Sequence, residues 1–146
     1  MEEESNEQER QNKIKQIELD KNQYNKSISD YNVKLKQLNM LREKFEKFRS
    51  DIVTIIEKTQ NAKMECNDAK KQLLYSYTST VSTQNSKKLD DASDRLGLMT
   101  NNLKSPILEN IDKRLQELNY EISECENEVL TVKRKILDLD IELQNI

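Results

Sequence analysis

Apolar residues recur at alternating steps of three and four along both halves of this chain, and few folds can accept that spacing. Ile14, Ile17, Lys21, Tyr24, Ile28, Tyr31, Leu35 and Leu38 follow it, with Lys21 as the single off-type position. A lysine is tolerated there because its methylene stem lies along an apolar seam while the ammonium stays in water. After Leu38 the spacing slips by one residue and resumes as Leu41, Phe45, Phe48, Ile52, Ile55, Thr59, Ala62, Cys66, Ala69 and Leu73. A slip of this kind overwinds a coiled coil locally without ending the helix. The cleanest repeat comes last: Leu115, Leu118, Ile122, Cys125, Val129, Val132, Ile136, Leu139, Leu143 and Ile146.

Between these repeats the texture changes. Tyr75 to Thr83 is dense in hydroxyl and β-branched residues, which are poor helix formers that favour turns and caps. A chain reversal is expected there, centred near Ser79. A weaker seam follows through Leu89, Ala92, Leu96, Met99 and Leu103, interrupted by Gly97. Ser105 and Pro106 read as a helix cap with proline in the first helical position, so a kink or restart is expected. From Leu103 through Ile107 and Ile111 to Leu115 the steps are fours, which relaxes the winding.

Seams of matching extent on either side of a turn-rich centre predict an all-α fold: an elongated, coiled-coil-like antiparallel helical hairpin. The second arm is expected to be kinked or broken between Gly97 and Pro106. One helical domain would span 1–146, with a polar, frayed start at 1–12, a first arm at 13–75 and a turn at 76–86. The second arm would occupy 87–104 and 106–146. In this arrangement Ile14 lies opposite Ile146, Leu19 level with Ile141, and Met40 level with Tyr120.

Composition narrows the functional classes. Hydrophobic residues are 34% and charged residues 35%, with one Gly and one Pro, which suits thin helices sharing a narrow seam better than a globule. Disordered chains can be equally polar, but they lack ordered apolar spacing. The net charge is −3, with both signs mixed along the chain. The one basic run, Lys133-Arg134-Lys135, is followed by Asp138, Asp140 and Glu142, so the basic stripe of a nucleic-acid binder is missing. No stretch has the apolar length needed to insert in a membrane. The acidic start, Met1-Glu2-Glu3-Glu4-Ser5, is the reverse of a secretory signal, so a cytoplasmic protein is expected, exported, if at all, without a cleaved signal peptide.

Catalysis is not expected. The chain has no histidine, which removes the commonest general base and metal ligand. Cys66 and Cys125 stand alone on seam positions, where cysteine serves as a small buried hydrophobe, and they cannot make a structural zinc site. One glycine cannot form a phosphate-cradling loop. No catalytic, metal-binding or cofactor-binding residue is assigned.

The informative residues are apolar side chains off the seam. Leu19, Val33 and Met40 share one outer heptad position, with Lys26 between them; Leu130, Leu137 and Ile141 form a second stripe, with Tyr120 further back. A two-helix hairpin cannot bury both faces of its own helices. These seven residues are therefore the candidate partner interface, for a helical protein or for a second copy. Isolated surface apolars, which are normal, are the plainer alternative.

In this pattern the chain resembles the small helical hairpins of the WXG-type superfamily used by type VII secretion systems. It is most similar to the longer members associated with LXG-type polymorphic toxins of Gram-positive bacteria. The resemblance covers the whole chain and rests on architecture. At the turn, where that family commonly carries Trp-x-Gly, this chain has Tyr75-Ser76-Tyr77-Thr78. Tyr120 followed by Glu124 matches the spacing of the family's export signal, which makes the pair a candidate secretion signal. The resemblance implies a targeting factor or chaperone that packs against the helical N-terminal domain of an LXG-type toxin. A structural coiled-coil spacer, tether or homo-oligomeric scaffold is the rival; it would tolerate charge at Leu130, Leu137 and Ile141. A fibre segment is a further rival, but a fibre has no reason to reverse.

Overall fold

The computed structural model describes the backbone of residues 1–76 and 80–146. It contains three α-helices: α1 over Glu2–Ser76, α2 over Thr80–Asn102 and α3 over Glu109–Gln144. A π-helical segment, Leu103–Leu108, joins α2 to α3. No strand occurs among the described residues, and the fold is an all-α antiparallel helical hairpin. The expected reversal at Tyr77, Thr78 and Ser79 lies outside the described residues. Helix occupies most of the segment assigned to the turn, since α1 continues to Ser76 and α2 begins at Thr80 rather than at 87.

The described residues sort into two compact units. Unit 1 comprises Met1–Arg42 with Glu117–Ile146, and unit 2 comprises Glu43–Gln116. Helix α1 begins at Glu2, so the polar first dozen residues are helical instead of forming a frayed start. Glu2, Glu3 and Glu4 sit in the first turn, where carboxylates oppose the partial positive charge of the unpaired N–H groups. The first bond of the ladder runs from the Ser5 N–H to the Met1 carbonyl, at 3.1 Å.

In unit 1 the expected seam is the observed one. Ile17 and Leu38 are buried, and Ile14, Lys21, Tyr24, Ile28, Tyr31 and Leu35 are half-buried. Across from them Leu118, Ile122, Cys125, Val129 and Val132 are buried, with Leu118 fully so. The register also agrees. Lys21 Nζ reaches Asp140 at 2.5 Å, and the Cys125 thiol donates to the Tyr31 carbonyl at 3.5 Å.

In unit 2 the seam departs from expectation, because the slip after Leu38 does not occur. The inward positions of α1 continue the first heptad without interruption: Arg42, Phe45, Arg49, Ile52, Ile56, Thr59, Lys63, Cys66, Lys70 and Leu73 are all buried or half-buried. Phe48 and Ile55, expected on the seam, are 50% and 43% exposed. The cause is that cations hold four of the five alternate seam positions, Arg42, Arg49, Lys63 and Lys70 with Ile56 between them, and each can lay its stem inward. Arg49 Nε pairs with Asp112 at 2.6 Å, and Lys70 Nζ with Asp90 at 2.7 Å. Arg42, the last residue of unit 1 on α1, donates to the Asn119 side chain at 3.3 Å. Such bonds reward a rotation of α1 that places these stems inside and moves Phe48 and Ile55 outward.

The α2 side departs as well. Ser86, Ser93 and Thr100, seven residues apart, are the buried positions, while Met99 is 51% exposed and Leu89, Ala92 and Leu96 lie half-buried beside the seam. The expected break occurs, but later than Gly97, through which α2 runs unbroken. Ser105 is extended (φ −145, ψ 123), as suits a residue before proline. Its hydroxyl bonds the Glu109 carboxylate at 2.9 Å, so it contacts a side chain where a backbone cap was expected. The wider π turn inserts one residue, so Leu108 turns inward and Ile107 outward, replacing the expected run of four-residue steps. Leu108 joins Phe45, Leu103 and Leu115 around the buried cluster of Ile52, Ile56 and Ile111.

Candidate partner-binding surface

All seven candidate interface residues belong to unit 1, and all are at least half exposed: Leu19, Val33 and Met40 on α1, and Tyr120, Leu130, Leu137 and Ile141 on α3. Their exposure follows from the seam. With Ile17, Tyr24, Tyr31 and Leu38 turned toward α3, a residue two positions further on points directly away from it. Leu19, Lys26, Val33 and Met40 occupy that back row of α1. The same rule applied to Leu118 and Leu139 puts Tyr120 and Ile141 on the back of α3. Leu130 and Leu137 stand one row toward the side.

That side carries a concavity. Asn25 and Ile28 of α1 and Lys133, Ile136 and Leu137 of α3 line an apolar hollow, so Leu137 is the rim of a depression whose floor includes two seam isoleucines. Elsewhere on the pair, Lys135 Nζ sits 5.7 Å from the centroid of the Tyr24 ring, an arrangement in which the aromatic face favours a cation. Tyr120 and Glu124 are both exposed and one turn apart on α3, so the four-residue spacing of the candidate signal becomes a pair on one helical surface.

Further exposed apolar residues lie in unit 2. Phe48, Ile55, Met64, Leu98, Met99 and Ile107 join the surface. Phe48 also borders a shallow hollow with Lys44 and Phe45. The sequence places Leu41, Phe48 and Ile55 seven residues apart, which signals an apolar row but not whether it faces inward. Arg42 and Arg49 beside them were the available clue, since a row of cations seven residues apart can face acidic residues of the other arm.

Both thiols are free, with Cys125 buried in its seam and Cys66 half-buried. Among the described residues no three His, Cys, Asp or Glu side chains gather in a way that could hold a metal ion. Among the described residues no helix is long and apolar enough to cross a membrane. Comparison with known proteins gives no match to a family model, a curated protein or a solved structure.

Proposed function

We propose that this chain is a non-catalytic interaction protein whose outer surface in unit 1 packs against helices of another protein. Its partner on this reading is the helical N-terminal domain of a type VII-secreted LXG-type toxin, for which it acts as targeting factor or chaperone. The supporting observation is the set of seven large apolar side chains left at least half exposed on the two outer faces of one helix pair. An amphipathic helix buries such residues by laying its own apolar stripe along them, and the hollow beside Leu137 suits a protruding side chain. The naming of the partner rests on the resemblance in architecture alone.

Co-expression with the helical domain of a toxin encoded beside it tests this reading. A tagged chain should retain that domain through purification. Changing Leu130→Asp and Leu137→Asp together should reduce retention about tenfold or more while leaving helicity unchanged, since clustered apolar anchors dominate such interfaces. Retention unaffected by the double substitution would mean that these residues are not the contact. No retention at all would favour the structural spacer.

A further inference from the structure

The two apolar ridges of unit 1 differ in charge. Beside Leu19, Val33 and Met40, the outward positions of α1 carry Lys15, Lys26 and Lys36 against Asp30 alone, and all four are exposed. Beside Tyr120, Leu130, Leu137 and Ile141, the outward positions of α3 carry Glu117, Glu124 and Asp138 against Arg134 alone, again all exposed. One ridge is apolar and cationic, the other apolar and anionic. They also match in extent: Leu19 to Met40 and Tyr120 to Ile141 each span three heptads, about 32 Å of helix at 1.5 Å per residue. Within one copy the ridges point in opposite directions, because the seam lies between them. They cannot meet in the same molecule.

We propose that they meet between molecules, the α1 ridge of one copy docking on the α3 ridge of the next. A second copy is the one occupant whose surface is known to have both the required stripe length and the opposite charge. Because α1 and α3 are antiparallel and level within a copy, displacing a second copy sideways aligns the ridges without rotation. Leu19 then lies beside Ile141 of the neighbouring copy and Met40 beside its Tyr120. Lys26 and Arg134 would come level, and each has a carboxylate of its own helix one turn away, Asp30 and Asp138, to offset the repulsion. The contact is heterologous, so every copy added leaves a free ridge of each kind and the assembly grows with concentration. It should weaken as salt screens the opposed charges. This goes beyond the preceding section, because it concerns what the ridges do when no other protein covers them.

Light scattering and sedimentation of the full chain over a concentration series test the proposal. The expected result is a mass that climbs past the dimer with concentration and falls with added salt. Val33→Glu disables the α1 ridge and Leu137→Lys the α3 ridge. Each variant alone should be monomeric with unchanged helicity, and an equal mixture should form a dimer that does not grow, joined through the two intact ridges. A wild-type chain that stays monomeric, a closed dimer that survives either ridge substitution, or a mixture that stays monomeric would each overturn the proposal. A monomer that still retains a co-expressed helical partner would overturn only this inference and leave the proposed function standing.

Discussion

In unit 1 the arm facing α1 presents Leu118, Ile122, Cys125, Val129 and Val132 to the interior; over α2 in unit 2 the buried residues are Ser86, Ser93 and Thr100. On α1 the contrast is confined to the stretch facing α2, where Thr59 is buried near half-buried Lys63, Cys66 and Lys70; Ile52 and Ile56, also in unit 2, are buried like Ile17 and Leu38 of unit 1. Large aliphatic seams gain most of their stability from area removed from water. Small hydroxyl seams gain less in this way and depend on satisfied polar groups. Ser93 donates to Asn67 at 3.1 Å, and Thr59 and Thr100 return their hydroxyls to the Ile55 and Leu96 carbonyls of their own helices at 2.7 and 3.0 Å. Among the described residues no buried side-chain polar atom is left without a partner. The comparison teaches that one heptad can hold a helix pair together by two different means, and that the means decides which face is left apolar. Unit 1 fills its seam with large residues and still has seven to spare outside; unit 2 fills much of its seam with polar and small ones and turns Phe48, Ile55 and Met99 out.

The strongest way to break the contrast is Leu118→Ala. Leu118 is fully buried, so its truncation removes apolar area and leaves a cavity. A loss of about 3–5 kcal/mol is expected in urea unfolding followed by circular dichroism, in the range of buried leucine truncations. A loss below about 1 kcal/mol would mean that the seam of unit 1 collapses freely around the gap.

A smaller effect is expected from Ser93→Leu, which adds the aliphatic volume that unit 2 lacks. If the small residues are there because the helices pack closely, the change should destabilise by about 1–3 kcal/mol through overpacking. Stabilisation by the same substitution would show that the hydroxyl seam has room for a larger side chain, and the two units would then differ in composition only.

The smallest expected effect is at Gly97. A Cβ built there lies 3.0 Å from the Lys63 Nζ, the far end of a flexible side chain that can move aside. Gly97→Ala should therefore stabilise by up to about 1 kcal/mol, the helix propensity difference, seen as a higher urea midpoint. Destabilisation would show that the Lys63 ammonium is held at that place and that the missing side chain is required by the packing of unit 2.

Legibility followed the size of the seam residues. Between Ile14 and Leu38, and between Leu115 and Ile146, the inward residues are mostly large and apolar, so spacing alone identified the arms, their facing sides and the level of Leu19 with Ile141. The outer ridges were legible for the same reason, since a residue two positions beyond a seam residue must face away. From Leu41 to Met99 the same reasoning placed Phe45, Ile52, Thr59, Cys66 and Leu73 on the seam, where they lie, but at the alternate positions of α1 it chose the nearest apolar residue and was one position off. Leu41, Phe48 and Ile55 stand immediately before Arg42, Arg49 and Ile56, and a one-residue error rotates a side chain by about 100° around a helix with 3.6 residues per turn.

What the chain's residues determined by themselves is the all-α class, the two antiparallel arms, the break beside Pro106 and the presence of apolar residues in excess of one seam. Those follow from local rules: helical periodicity, the missing N–H of proline and the number of large apolar side chains. The rotation of α1 past Leu38 was decided only by the folded arrangement. It is set by Asp90, Asp112 and Asn119, dozens of residues away along the chain, which offer partners to Lys70, Arg49 and Arg42. A helix turns as one body, so these distant polar contacts settle which side of each turn faces inward, and no local preference of Phe48 or Ile55 can override them.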